Sequence, residues 1–148
     1  MISMDELLKN RAKLEDLPED IQANLLELHE KINKLREAYG SPLKVNDGLR
    51  LDSTPYGAKS SKHKKGQAVD LDDDDAGTLW FWVMENMDLI AEIGLWMEHG
   101  CWTHSPKGTW VHFQTVPPNS NKRIFVPDAS PNPNSKFWDG KYDSKYDK

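Results

Sequence analysis

Two histidines and an aspartate are the side chains of this sequence best suited to chemistry. His63 sits in SSKHKKG, a basic loop of small residues, Asp70 follows in QAVDL, and His112 lies in TWVHFQ. An imidazole nitrogen and a carboxylate oxygen each bind zinc at about 2.0 to 2.2 Å, and a catalytic zinc takes three protein ligands with a fourth position for water. His63 and Asp70 supply two ligands if the chain between them turns back at Gly66 and Ala68, which are small enough for close approach. Taken alone, the His63 and Asp70 spacing more often describes a surface ion pair or a helix cap than a metal site. Taken alone, His112 is better described as a half-buried strand histidine donating to a neighbouring carbonyl.

The elements that must position these residues are legible as patterns. From Pro18, the residues Ile21, Leu25, Leu28, Ile32 and Leu35 recur at helical steps on one face, and Gly40 marks a stop. That stripe reads as core packing. Residues 4–14 read as a shorter helix docked before it. A strand is expected over residues 43–46, followed by a turn at Asp47 and Gly48 and an irregular loop. QAVDL is a second strand, with Ala68 and Asp70 on one face and Val69 and Leu71 on the other. A helix is expected over residues 76–93, with Asp75 or a neighbouring aspartate as its cap, and Trp80, Val83, Met84, Met87 and Ile90 toward the core. LWMEH and TWVHFQTV then read as strands of a hairpin joined through a polar loop from Gly100 to Gly108.

Composition limits the classes open to the chain. Its 148 residues, 37% apolar and without a long apolar run, fit one domain with a single modest core. A net charge of -5 argues against a general nucleic-acid binder, and neither nucleic acid nor membrane is expected as a partner. Cys101 stands alone, so the chain can form no internal disulfide. The start, MISMDELLKNRAKLEDL, is charged and lacks the apolar core of a signal peptide, so synthesis in the cytoplasm is expected. Asp72 to Asp75 lack the spaced acids, glycine and closing glutamate of an EF-hand and read as a solvated helix start. The lysines of KSSKHKKG suit an anionic polymer such as cell wall, or simple solubility.

SKHKKGQAVDL followed by WVHFQ resembles the zinc peptidases of the D-alanyl-D-alanine carboxypeptidase and dipeptidase group. That group includes bacteriophage endolysins that cleave the L-alanyl-D-glutamate bond of peptidoglycan. Its pattern is S-x-H-x-x-G-x-A-x-D with a later strand ending in a zinc-binding His, and Ser61, His63, Gly66, Ala68, Asp70 and His112 match it. The likeness extends from Pro18 to Pro118 and includes a Gly-x-Arg segment whose arginine is Arg50. The resemblance implies an α+β fold, a small antiparallel sheet backed by helices, with a zinc site in a groove on the sheet. It implies zinc on His63, Asp70 and His112, Arg50 acting in catalysis and binding a substrate carboxylate, and Ser61 beside the substrate. Many such enzymes move protons with an acid three positions before the last ligand or a histidine two positions before it. Thr109 and Trp110 occupy those places here. A missing general base removes a contribution of about 100-fold to 10,000-fold. Glu98, on the strand expected beside that of His112, is the best substitute; His99 and His104 are weaker ones.

The domain is expected to cover residues 1–126, with helices over 1–40 and the metal core over 41–118, followed by an extended polar tail over 127–148. Phe137, Trp138, Tyr142 and Tyr146 could anchor that tail on a protein partner. Two readings of function stand. One is a zinc-dependent peptidase of peptidoglycan stem peptides, encoded by a phage or prophage and carried in a virion or released to the wall by a lysis system. The other is a catalytically weak or inactive relative serving as a structural or binding part of a phage particle.

Overall fold

A computed structural model describes residues 1–53, 61–100 and 103–125 of the chain. The expected tail over 127–148 and its four aromatic anchors lie outside the described residues, as do Lys59 and Ser60 of the basic loop. Helix α1, Met4–Leu8, opens with a capping box in which Ser3 and Glu6 satisfy each other's backbone N–H. It ends earlier than its expected span because Lys9 and Asn10 take positive φ values of 55° and 58°, a conformation open to Asn but closed to a continuing helix. A 3-10 turn, Leu14–Asp16, then leads into α2, Glu19–Tyr39. The α2 stripe is as expected: Leu25, Leu28, Ile32 and Leu35 are all fully buried, and Gly40 closes the helix in the left-handed conformation.

Six strands follow among the described residues: β1 Val45–Asp47, β2 Ala68–Asp73, β3 Trp96–Glu98, β4 His104–Ser105, β5 Gly108–Gln114 and β6 Ile124–Phe125. The sheet order is β1-β2-β5-β3-β6, with β4 paired to β5. The chain is thus α+β, its sheet backed by helices. One pair departs from the antiparallel pattern, since β6 lies parallel to β3. β6 falls in a stretch whose Pro and Asn content reads as extended chain after Pro117. Its two apolar residues are too few to show a period. The loop expected from Gly100 to Gly108 also contains structure, since β4 folds tightly back on β5 through Ser105 and Gly108.

The helix expected over 76–93 is two helices, α3 Thr78–Glu85 and α4 Met87–Ile93. The break falls at Asn86, whose side-chain amide donates to the Trp82 carbonyl at 2.8 Å. Such local bonding lets Asn compete with a helix backbone. Capping of α3 comes from Asp73 and Asp74 rather than Asp75. The Asp73 carboxylate accepts the N–H groups of Leu79 and Trp80 at 2.8 and 3.0 Å, and Asp74 accepts that of Thr78 at 2.9 Å.

Strand parity divides the sheet into two faces. Val69, Leu71, Met97, Val111, Phe113 and Ile124 face α2, α3 and α4 and form one core with Leu28, Ile32, Leu35, Leu79, Val83 and Ile90. The other face carries a row of polar side chains. Asp47 pairs with Asp70 and Asp70 with His112; the β3–β5 register of Trp96 on Gln114 and Met97 on Phe113, carried one residue further, sets Glu98 beside His112.

Candidate metal centre

His63 reaches this polar row from a 3-10 turn, Lys62–Lys65. The Ser61 hydroxyl oxygen caps the turn by accepting the His63 N–H at 3.2 Å, and Gly66 ends it at φ 71°. Gly66 is required by space as well, because a Cβ there would lie 2.8 Å from Cγ of Leu25. β2 then begins at Ala68, and Asp70 comes back under the imidazole.

His63, Asp70 and His112 are all buried, and a ligand atom from each lies within 4.8 Å of the others. Their hydrogens decide what this cluster can hold. His63 Nδ1 lies 2.8 Å from the Gly48 carbonyl, which can only accept, so the ring's hydrogen belongs there. The Gln114 amide nitrogen donates to the Val116 carbonyl at 2.9 Å, which turns its oxygen toward His112 Nε2 at 3.0 Å. A neutral His112 therefore carries its hydrogen on Nε2. The lone pairs of His63 Nε2 and His112 Nδ1 are left facing the same oxygen, Asp70 Oδ1, at 3.3 and 2.9 Å. Three acceptors thus converge with no hydrogen of their own between them. A cation, either a proton or a metal ion, satisfies them. Donor atoms around a tetrahedral zinc at ~2.0 Å stand about 3.3 Å apart, close to the 3.3 and 2.9 Å from Asp70 Oδ1 to the two rings. The carbonyl and amide oxygens behind the rings are the outer partners that a zinc-binding histidine requires.

The electrostatics agree. Burial opposes the charge on Asp70, but hydrogen bonds and charges from His112 and His63 outweigh it and hold the carboxyl well below the usual range. Burial likewise opposes a charge on His112, yet Asp70, with smaller help from Glu98 and Gln114, raises it to about 9. Without a metal, the raised pKa of His112 favours a proton held between it and Asp70.

A family model described as peptidase M15 matches residues 2–105, well over half of the chain. The chain belongs to the peptidase M15 family. Searches of curated proteins and of solved structures give no match. M15 peptidases are zinc metallopeptidases with peptidoglycan-related substrates, and the cluster of this M15 chain is of the kind that could hold such a metal. His112 lies seven residues beyond the matched segment; its place rests on its register opposite Asp70.

The remaining residues singled out in the sequence of this M15 chain distribute as follows. Arg50 stands at the β1 side, with Nε 2.7 Å from Asp47 Oδ2 and Nη2 3.5 Å from Asp70 Oδ2. Glu98 is half-buried at the other end of the row. Burial pushes its carboxyl up, reinforced by Asp70 and offset by His112 and Arg50. Ser61 has a positioning contact, the cap beneath His63. The weaker candidates lie elsewhere. His99 is buried with its ring 5.3 Å from that of Trp80, and exposed His104 pairs with Thr109, on the face away from His112. Trp110 shares the His112 face and lies opposite Asp72. Sequence reasoning missed Gly48, Asp47 and Gln114. Gln114 could have been found, since it lies two residues beyond His112 and so on the same face of the strand. Gly48 acts through a backbone carbonyl, which no side-chain pattern reveals.

Proposed function

We propose that this chain is a zinc-dependent peptidase of peptidoglycan stem peptides, of the D,D-carboxypeptidase or L-alanyl-D-glutamate endopeptidase type, with zinc on His63, Asp70 and His112. The observation that carries this reading is the convergence of three hydrogen-free acceptors in the polar row that also holds Glu98 and Arg50. When bound, zinc would lower the pKa of a water toward neutrality and polarise the scissile carbonyl. Glu98 takes the proton from the attacking water and returns it to the leaving amine. Its raised pKa suits that work, because a base poised nearer neutrality can both accept and release the proton. Arg50 holds a substrate carboxylate with its planar guanidinium, and the Ser61 hydroxyl hydrogen is a further donor at the groove. Residues 1–126 are the unit that carries the activity. Delivery to the wall by a phage lysis system or virion is part of the proposal and is supported by the resemblance to endolysins.

One observation favours the second reading, a peptidase fold kept as a structural or binding component of a phage particle. Thr109 turns to the other face, and Trp110, which shares the His112 face, has no group that moves a proton at neutral pH. The two readings separate in one experiment. Zinc-loaded protein is incubated with sacculi and with synthetic tetrapeptide and pentapeptide stems, and the products are resolved by mass. Cleavage is expected, with Glu98→Gln retaining zinc but slowed by at least ~100-fold. Wild-type protein that carries zinc yet leaves every substrate uncut would establish the binding reading instead.

A further inference from the structure

Trp110 and Asp72 stand opposite each other on β5 and β2. Each lies two residues along its strand from His112 or Asp70, so both project from the polar face of the sheet. Burial does not explain a large aromatic there. Trp110 is half-buried and belongs to neither hydrophobic cluster of the described residues. Asp72 is exposed, and its Oδ1 accepts the Asn46 side-chain amide at 3.1 Å. Its Oδ2 and the Trp110 indole N–H have no hydrogen-bond partner among the described residues, and Asp72 joins no ion pair there. Asp73 is different. It has the opposite strand parity, and its carboxylate accepts the N–H groups of Leu79 and Trp80 at the start of α3.

The two side chains favour the same kind of ligand. A carboxylate with an open oxygen attracts a cation, and so does the face of an aromatic ring, which carries the negative part of its quadrupole. A primary amine answers both, since it donates to Oδ2 while its charge lies against the indole. An aromatic ring also stacks on a sugar, but a neutral sugar would leave the carboxylate charge unanswered. Position agrees with a peptide ligand. Two strand residues span roughly 7 Å, and an extended peptide advances about 3.3 to 3.6 Å per residue. A peptide lying across His112 therefore brings its second residue along, or the long side chain of its first, to Trp110 and Asp72.

We propose that Trp110 and Asp72, with Asn46 holding the carboxylate, form a subsite for an amine-bearing side chain of the substrate peptide. The inference rests on the peptidase reading for the placing of the peptide at His63, Asp70 and His112. It gives the tryptophan of TWVHFQ a part in specificity, and it separates peptides with a free side-chain amine from those whose amine is blocked.

The test uses full-length, zinc-loaded protein carrying Glu98→Gln, so that turnover does not consume the peptide. Calorimetry compares two synthetic stem pentapeptides with blocked α-amines, one carrying a lysine whose side-chain amine is free and one in which that amine is acetylated. The free amine is expected to bind about tenfold more tightly. Adding Asp72→Asn, which keeps the size of the side chain and an acceptor for Asn46, should remove most of that preference. Trp110→Leu should reduce it severalfold, and Trp110→Phe, which keeps a ring face, should retain part of it. Asp72 is exposed, so Asp72→Asn carries the test if Trp110→Leu does not fold. An undiminished preference in Asp72→Asn overturns the proposal, as does an equal weakening of both peptides, the mark of a merely structural role. Wild-type-like protein that fails to discriminate the two peptides, or binds neither, overturns it as well. Tighter binding of a disaccharide-linked peptide, with amine and acetyl forms alike, would assign Trp110 to the glycan instead. Failure of the peptidase reading has its own signature: without Glu98→Gln, zinc-loaded protein leaves both peptides uncut, while the preference for the free amine persists.

Discussion

His63 and His112 present lone pairs to Asp70 because each ring directs its hydrogen elsewhere, one to the Gly48 carbonyl and the other to Gln114. The cluster could therefore hold a cation, and on the zinc reading removing one ring should remove the metal. Wild-type protein is expected to carry one zinc per chain and His63→Ala none, by elemental analysis after dialysis; equal zinc in both would sink the assignment. Protons compete for the same space. His112 lies at about 9 in the metal-free protein against an ordinary 6.5, so below that pH zinc must displace a proton. Apparent zinc affinity should rise about tenfold per pH unit from 6.5 toward 9 and flatten above it. The stability of the metal-free protein moves the opposite way. A folded-state pKa that is raised contributes stability fully present below the unfolded value of 6.5 and lost as pH rises through about 9. Zinc should thus raise the thermal midpoint more at pH 8.5 than at pH 6.5, and an increment independent of pH would show that His112 does not exchange its proton for the metal. The trio was singled out in the sequence because its residue types and spacing match a known pattern, and the structure brings the three side chains together. The ring hydrogens that suit it to a cation were not legible there, because they end on a backbone carbonyl and on an amide whose orientation depends on a third residue.

The segments that hold these residues differ in how far local sequence determines them. α2 shows its long apolar stripe and its closing Gly40 in the sequence, and the structure follows both. The parity of QAVDL likewise assigned Asp70 and Val69 to opposite faces, as the sheet has them, with Val69 in the core. The break at Asn86 and the strand β6 were not legible. The first depends on one side chain capturing a carbonyl, and the second on pairing with a distant β3. The turn at Asp47 and Gly48 was expected, but its crowding was not. A Cβ on Gly48 would stand 2.2 Å from the Leu7 carbonyl oxygen, on the same strip of chain where the Leu49 N–H donates to that oxygen at 2.8 Å. Gly48→Ala must push α1 away or twist the carbonyl that holds His63. Destabilisation of about 2 kcal/mol or more is expected in urea unfolding of the metal-free protein, together with weaker zinc binding. A Gly48→Ala protein of wild-type stability and zinc affinity would show that this contact is dispensable.

Across the whole molecule, the sheet separates two tasks. Its helix-facing side is apolar, with Val69, Leu71, Val111 and Phe113 fully buried against Leu28, Ile32 and Leu35. Its other side carries the His63, Asp70 and His112 group that could hold a metal, none of whose residues belongs to that core. In the smallest zinc domains metal binding is itself the folding energy. Here hydrophobic burial on one face should hold the fold while metal occupies the other. Stripping zinc with a chelator is therefore expected to leave helical and sheet circular dichroism and a cooperative melt intact. Restoring zinc to about a thousandfold above its Kd would add ~4 kcal/mol, a rise in thermal midpoint on the order of 10 °C. Ile32→Ala, which cuts into the core, should destabilise by about 2 to 5 kcal/mol whether or not zinc is bound, with its effect and that of the metal adding. Loss of the cooperative melt on chelation alone would mean that the polar row, not the helix-facing core, holds the sheet together.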